Sequence, residues 1–140
     1  MTAERLIQWG RENPGRLFLI DGFGALVSAL LLGVVLVSYE DVFGIPRPTL
    51  YVLALFPCLF GVYDLYSYRY AGKNTTHFLK GIAIMNLSYC FLSVGLALYH
   101  YASLTYWGWT YILLEVVIVS ALASLEYRVA QSLKMEAWAK

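Results

Sequence analysis

The chain has 140 residues, of which 60% are hydrophobic and 14% are charged, and its formal net charge is +1. Soluble domains contain about 45–50% apolar and about 25% charged residues, so this composition excludes a self-contained nucleotide-binding domain or a soluble hydrolase. A net charge near zero provides no basic face for phosphate backbones, and we expect no nucleic-acid partner. The composition instead predicts an all-α integral membrane protein whose first partner is the lipid bilayer.

Residues 1–16 are predicted to form a cytoplasmic N-terminal segment. Residues 1–9 combine apolar and charged side chains in a pattern that is typical of a short amphipathic helix on the membrane surface. The Asn-Pro-Gly sequence at 13–15 is expected to end that helix. A frayed tail is the alternative for this segment.

Four apolar runs follow, and each is long enough to cross a bilayer, which requires about 20 residues. Pro57 lies inside the second run and is expected to kink it, because proline lacks a backbone donor. The predicted single domain has spans at 17–38, 50–66, 79–99 and 106–126, outer loops at 39–49 and 100–105, a cytoplasmic loop at 67–78 and a cytoplasmic tail at 127–140.

The positively charged residues predict how the chain is oriented. All lysines and arginines except Arg47 lie in the N-terminal segment, around the middle loop or in the C-terminal tail. Because Lys and Arg are retained on the cytoplasmic side, both termini are predicted to be cytoplasmic, which requires an even number of spans. The sequence therefore predicts four transmembrane helices in an antiparallel bundle, placed in a bacterial inner (plasma) membrane.

Glu115 is the acidic residue predicted to lie deepest in a span. A rise of about 1.5 Å per residue from Thr105 places it roughly 15 Å below the outer boundary, near the bilayer midplane. Inserting an ionised carboxylate there costs about 2.5–3.5 kcal/mol. The side chain must therefore be protonated, paired or hydrated.

Helical spacing places two further polar residues of the fourth span on the same face as Glu115. Tyr111 lies one turn away and is predicted to orient a ligand at Glu115. Glu126 lies at the inner end beside Arg128, where we expect a solvated or salt-bridged side chain.

The third span carries a stripe of small and polar residues that should face protein. One interpretation is a packing seam in which Asn86 forms a hydrogen bond to another helix. The other interpretation is a water-filled path or binding cavity in which Asn86 orients a ligand. The stripe consists of Ala83, Asn86, Cys90, Ser93, Ala97 and His100.

Asp21 and Asp64 are predicted at similar depth, near the cytoplasmic ends of the first and second spans. Because Arg16, Arg69 and Lys80 lie at nearby depths, we expect the two acids to join an interfacial ion-pair network. A cation site at the inner mouth of the bundle is the alternative.

No cofactor or metal site is predicted. His77 and His100 fall on opposite sides of the predicted membrane, so no histidine pair can hold haem or zinc. Cys58 and Cys90 have similar depths, and a role as small apolar fillers is favoured over a disulfide. The spans offer no convincing catalytic residues, so a membrane enzyme is the least favoured class of function.

Two functional hypotheses remain open. The first is transport of protons, cations or a small cationic solute; the second is a non-catalytic accessory or scaffold subunit of a membrane complex. Four helices enclose only a narrow cavity, so we also expect a homo-oligomer or a membrane partner subunit. The residues predicted to bind the ligand or ion are Glu115, Asn86, Tyr111, Asp21, Asp64 and Glu126.

Overall fold

The structure is a computed structural model that describes residues 2–140. Those residues are almost entirely helical, and no strand occurs among them. The elements are α1 (Ala3–Glu12), α2 (Pro14–Leu30) with a π-helical continuation (Leu31–Leu36), α3 (Glu40–Phe43), α4 (Arg47–Tyr70), a 3₁₀ turn (Gly72–Asn74), α5 (Thr75–Tyr99) and α6 (Tyr106–Ala139). Helices α2, α4, α5 and α6 are long and apolar enough to cross a membrane.

The long helices form a bundle-like arrangement in which α2 pairs with α4 and α5 pairs with α6. Close backbone approaches between the two pairs are sparser. The shared core includes Leu17, Leu53, Leu79, Ile82 and Ile112. Helix α4 continues through Pro57, which is buried.

The π-helical continuation of α2 is a feature that the sequence does not predict. It keeps Leu32 and Leu36 buried and packs against α4. A Cβ on Gly33 would lie 3.4 Å from the Cβ of Ala54. Small residues therefore set the close approach of these two helices.

Hydrogen bonds join the segment that connects α2 to α4 with the segment that connects α5 to α6. The backbone N–H of Thr105 donates to the Phe43 carbonyl at 3.2 Å, and the Thr105 hydroxyl donates to the Val42 carbonyl. Gly44 has a φ of 71°, and a side chain there would collide with the Ser103 carbonyl, so this turn requires glycine. These contacts fix one end of the bundle.

Helix α1 lies against the C-terminal part of α6. Arg11 forms an ion pair with Glu136 at 3.1 Å and also donates to the Ser132 hydroxyl at 3.4 Å. Gly10 is buried, and a Cβ on it would lie 2.8 Å from Val129 Cγ2. Helix α6 thus extends beyond the predicted span at 106–126, and α1 packs on the extension.

The distribution of side chains is inverted relative to a soluble protein. Acidic side chains of α2, α4 and α6 are buried, whereas large apolar side chains are exposed on every long helix. Soluble monomers rarely expose extensive apolar patches. Examples are Phe23 at 69%, Val62 at 69%, Phe91 at 80% and Val117 at 63% exposure.

Candidate functional site

Glu115 lies inside the bundle and accepts hydrogen bonds from three hydroxyl groups. Ser28 donates to its Oε1 at 2.8 Å, and Tyr111 donates to the same oxygen at 3.2 Å. Tyr89 donates to Oε2 at 3.1 Å. We call these four residues the glutamate site. Both carboxylate oxygens are satisfied by donors from α2, α5 and α6, so the site ties three helices together.

Aromatic packing holds the two tyrosines of the glutamate site. The Tyr89 ring contacts Phe56 and Phe60 of α4, with centroids 6.1 and 6.0 Å away. The Tyr111 ring meets Phe43 edge to face at 6.4 Å. Aromatic pairs at this spacing are favourable beyond the area they bury. Helix α4 thus supports the glutamate site through ring packing rather than through hydrogen bonds.

A second polar group lies about two helical turns along α2 from the glutamate site. It takes one side chain from each long helix: Asp21 from α2, Asp64 from α4, Asn86 from α5 and Glu126 from α6. All four are buried, and none is more than 5% exposed. Asn86 Nδ2 donates to Asp21 Oδ2 at 2.9 Å, and Asp21 also adjoins the carboxyl groups of Asp64 and Glu126. We call these four residues the triacid cluster.

The acids of the triacid cluster are poorly supplied with donors. Neither carboxyl oxygen of Asp64 or of Glu126 has a hydrogen-bond partner. Burying an ionised carboxylate without a partner is strongly unfavourable. A hydrogen bond between two neighbouring carboxyl groups requires a proton on one of them, because an ionised carboxylate only accepts. The cluster is therefore chemically suited to hold a proton.

The ion-pair network expected around Asp21 and Asp64 is wrong. Arg16 and Arg69 are exposed, because long cationic side chains keep their charged ends in water while their stems lie on apolar surface. Within residues 2–140 the ion pairs are Arg11–Glu136 and Arg47–Glu40.

The solvated or salt-bridged position expected for Glu126 is also wrong. Glu126 is 0% exposed, whereas Arg128 is exposed. The reason is the length of α6, which continues as a helix to Ala139 and buries Val129 and Ala130 in the turn after Glu126. Glu126 is thus an interior residue and not an end residue.

A small cavity separates the two polar sites. Its volume is about 60 Å³. Asp21 and Asn86 of the triacid cluster line it, and so do Ser28 and Tyr89 of the glutamate site. Gly24 lies on the same lining. The cavity therefore borders residues of both sites, although most of its lining is apolar.

Apolar layers enclose the polar interior along the bundle. On the side of the bonded connections, Leu53, Leu96 and Ile112 pack so closely that no room for a water molecule remains. On the opposite side, Leu17 and Val129 are 1% and 0% exposed. Both polar sites therefore lie between apolar layers along the bundle axis.

The six predicted site residues fall into two groups. Glu115 and Tyr111 belong to the glutamate site, and the other four make up the triacid cluster. The interpretation of the α5 stripe as a packing seam is confirmed for Asn86, which forms a hydrogen bond to Asp21 of another helix, α2. The α5 stripe that contains Asn86 is buried except for His100, which bonds to Thr49 at 2.9 Å.

Ser28 and Tyr89 are site residues that the sequence analysis missed. Ser28 lies two turns after Asp21 on the same helical face, so its spacing could have indicated a shared polar face. Tyr89 lies one turn after Asn86 and has the same kind of signal. Tyrosine is common at the membrane interface, where it anchors the ends of spans. A tyrosine that lies in the interior is therefore hard to recognise from the sequence.

The remaining candidates do not form sites. Cys58 is exposed, Cys90 is buried, and both are free. In the described part of the chain, no group of three or more His, Cys, Asp or Glu side chains is arranged to hold a metal ion.

Comparison of the chain with known protein families, with curated proteins and with solved structures finds no match. Its class is therefore defined by its own features. It is an all-helical, bundle-like protein with four helices that are long and apolar enough to cross a membrane, and acidic side chains lie in its interior.

Proposed function

We propose that the protein is an integral membrane protein whose four long helices cross the bilayer as an antiparallel bundle. The mean hydropathy of these helices, between 1.5 and 2.3, supports this proposal. The apolar exterior supports it as well, because lipid solvates such a surface and water does not. Helices also satisfy their own backbone hydrogen bonds, as a bilayer core requires.

Both termini lie in the cytoplasm in this proposal, and the proposed location is a bacterial plasma membrane. The distribution of Lys and Arg supports the orientation. Exposed aromatic residues near the ends of the long helices are suited to the headgroup level. A reporter that is active only in the cytoplasm should work when fused to either terminus. Activity of only one of the two fusions would contradict an even number of spans.

Within the membrane, the protein binds and transfers protons or small cations. The observation that carries this proposal is the presence of four buried carboxyl oxygens, those of Asp64 and Glu126, without a hydrogen-bond partner. Acidic residues inside membrane spans are costly, and they mark ion pathways and proton relays. The triacid cluster is therefore the proposed binding centre.

The other polar residues have supporting roles in this scheme. Asn86 orients the Asp21 carboxyl group by donating to it. Glu115 is a second protonatable site, and it lies farther from the cytoplasmic end of the bundle than the triacid cluster does. Because apolar layers enclose both sites, passage to either side of the membrane requires the helices to move apart, so that two conformations alternate.

A second function, as an accessory or scaffold subunit, is favoured by the glutamate site. Glu115 is fully bonded within the chain, by Ser28, Tyr89 and Tyr111. An acid that is held this way can act simply as a clamp between helices. In that case the protein would work through a membrane partner. A homo-oligomer remains a prediction under either function.

Flux through reconstituted protein tests the first function against the second. Purified protein in liposomes is exposed to a pH gradient with a potassium diffusion potential, and internal pH is followed with a fluorescent dye. Asp64→Asn removes one unpartnered acid with little change in shape. Glu136→Gln is the matched control, because Glu136 is an exposed acid paired with Arg11.

We expect native protein and Glu136→Gln to carry protons at the same rate and Asp64→Asn to fall to the rate of empty liposomes. Parallel assays with sodium and potassium gradients identify a cation other than the proton. No flux of any of these ions would contradict the transport function and favour the accessory function.

A further inference from the structure

We propose that α1 is a lid on the cytoplasmic end of the bundle, and that its release from α6 gives water access to the triacid cluster. This inference rests on the proposed function, because it names the side from which protons reach the cluster. The lid acts on the apolar layer of Leu17 and Val129, which lies between the cluster and that end of the bundle.

Leu17 and Val129 lie close to two acids of the triacid cluster. Leu17 precedes Asp21 by four residues, and Val129 follows Glu126 by three. Each is therefore on the same helical face as its acid and about 5 Å closer to the cytoplasmic end. Both side chains are buried, at 1% and 0% exposure. Water that passes this layer would reach the two carboxyl groups.

Helix α1 packs directly on this layer. Gly10 is buried, and a Cβ on it would lie 2.8 Å from Val129 Cγ2 and 3.1 Å from Leu17 Cδ1. Close backbone approaches between α2 and α6 themselves are few. Gly10 thus contacts both helices where they have little direct packing, and glycine is required because a side chain has no room.

The contacts that hold α1 on α6 are weak. Within residues 2–140, the hydrogen bonds and ion pairs between the two helices all involve Arg11. Its side chain is 34% exposed and that of its partner Glu136 is 48% exposed, so water screens their attraction. The apolar side chains of Leu6 and Ile7 are only partly buried. Little free energy is therefore needed to lift α1 from α6.

The break between α1 and α2 provides a hinge for this motion. Asn13 has a φ of −132° and a ψ of 56°, outside the helical range, and Pro14 begins α2. At the opposite end of the bundle, hydrogen bonds join the two connecting segments, and the layer that contains Leu53 and Ile112 leaves no room for water. The α1 end is therefore the end that opens more readily.

Thiol access to the triacid cluster tests the lid without a flux measurement. Glu126→Cys places a thiol at a position that is 0% exposed, in a full-length chain whose Cys58 and Cys90 are replaced by alanine. A small charged methanethiosulfonate reagent, which stays out of lipid, is added to the protein in nanodiscs, and the rate of modification is measured. Asp64→Cys, at a position that is 1% exposed, is an independent second probe.

Two leucine substitutions in α1 provide the comparison. Gly10→Leu must push α1 away, because Val129 is buried and β-branched and cannot turn aside. Gln8→Leu adds the same side chain at an exposed position of α1. With either probe we expect modification at least about tenfold faster in Gly10→Leu than in Gln8→Leu, since the rate follows the population of the open state. Equal rates would overturn the lid.

A thiol toward the opposite end shows whether the effect is local. Ser93 is 0% exposed and lies seven residues beyond Asn86 on α5. We expect Ser93→Cys to react slowly and at the same rate in Gly10→Leu and in Gln8→Leu. An equal acceleration at Ser93→Cys would mean that the whole bundle loosens, and it would overturn the lid.

Locking α1 to α6 provides the reverse test. Arg11→Cys with Glu136→Cys places thiols where the ion pair now joins the helices at 3.1 Å, and a short reducible bifunctional thiol reagent links them. Gln8→Cys with Glu12→Cys, at two exposed positions of α1, is the control, because that link stays within α1. We expect proton flux to fall to the rate of empty liposomes with the first link, to return on reduction, and to be unchanged by the second. Flux that survives the first link would overturn the lid.

The two tests separate the lid from the proposed function. If Gly10→Leu speeds thiol modification while native protein shows no proton flux, the lid stands and the transport function fails. If flux is present, survives the link between α1 and α6, and thiol rates are equal in both leucine variants, transport stands and the lid fails.

Discussion

Both polar sites contain buried carboxyl groups, but the two sites differ in how many hydrogen bonds those carboxyl groups accept. Glu115 accepts hydrogen bonds from three donors, one on α2, one on α5 and one on its own helix, α6. The carboxyl oxygens of Asp64 and Glu126, which are about as deeply buried, have no hydrogen-bond partner. A carboxyl group that is fully bonded stabilises the fold it sits in, whereas one without partners destabilises it unless something binds. Burial alone therefore does not distinguish the two kinds of acid; the number of hydrogen-bond donors does.

Replacing Glu126 should separate function from stability most strongly. Glu126→Met removes an acid with no hydrogen-bond partner and leaves an apolar side chain of similar length. We expect proton flux to fall to background while the free energy of unfolding in detergent rises by about 1–3 kcal/mol, because a buried unsatisfied polar group is lost. If Glu126→Met unfolds at a lower denaturant concentration than native protein and retains proton flux, the proposed difference between the two sites is contradicted.

Replacing Glu115 should have the opposite effect on stability. In Glu115→Met, the three hydroxyl groups that donate to Glu115 lose their acceptor. We expect the free energy of unfolding to fall by about 2–3 kcal/mol. Glu115→Gln keeps an acceptor oxygen and should lose less. Denaturant unfolding of the three proteins under one set of conditions checks this order. A stabilising effect of Glu115→Met would show that the glutamate site does not tie the helices together.

The helices themselves were predictable, and the interior was less so. Long apolar runs separated by charged segments indicate helices of membrane-spanning length, since hydropathy is a property of each segment. The π-helical continuation Leu31–Leu36 depends on packing against α4 and has no local signal. Helix α3 is equally hidden, because its four residues are held by the neighbouring connection.

The candidate site shows the same limit. Because charged residues are scarce in the spans, the sequence identifies Asp21, Asp64, Glu115 and Glu126 as candidates. The spacing of residues along one helix, however, does not determine which residue of another helix each of them contacts. Asn86 illustrates this, because it faces Asp21 rather than Glu115. The predicted ion pairs failed because depth alone does not determine whether a long cationic side chain turns inward or toward the surface.

A single donor of the glutamate site should have a smaller effect than the acid. Tyr111→Phe removes one of the two hydroxyls that donate to Oε1, and Ser28 still donates at 2.8 Å. We expect a loss of about 0.5–1.5 kcal/mol in the free energy of unfolding. A loss as large as that of Glu115→Met would mean that the Tyr111 hydrogen bond alone carries most of the stability of this site, because Tyr111→Phe retains the ring that packs against Phe43.

The surface ion pair should matter least. Arg11 and Glu136 are partly exposed, at 34% and 48% of their side chains, so water screens their attraction. We expect Arg11→Ala to change the free energy of unfolding by at most about 1 kcal/mol and to leave proton flux unchanged. High salt should reduce the difference between native and variant protein. A salt-independent effect would point to lost packing of α1 on α6.

The most direct test of the central claim is to detect a proton held by the triacid cluster. Infrared spectra of the lipid-embedded protein at neutral pH, without added metal ions, report protonated carboxyl groups through their carbonyl band. We expect this band in native protein, a weaker band in Glu126→Gln and in Asp64→Asn, and a native band in Glu136→Gln. Identical bands in all four proteins would contradict the claim that these unpartnered acids are where the proton binds.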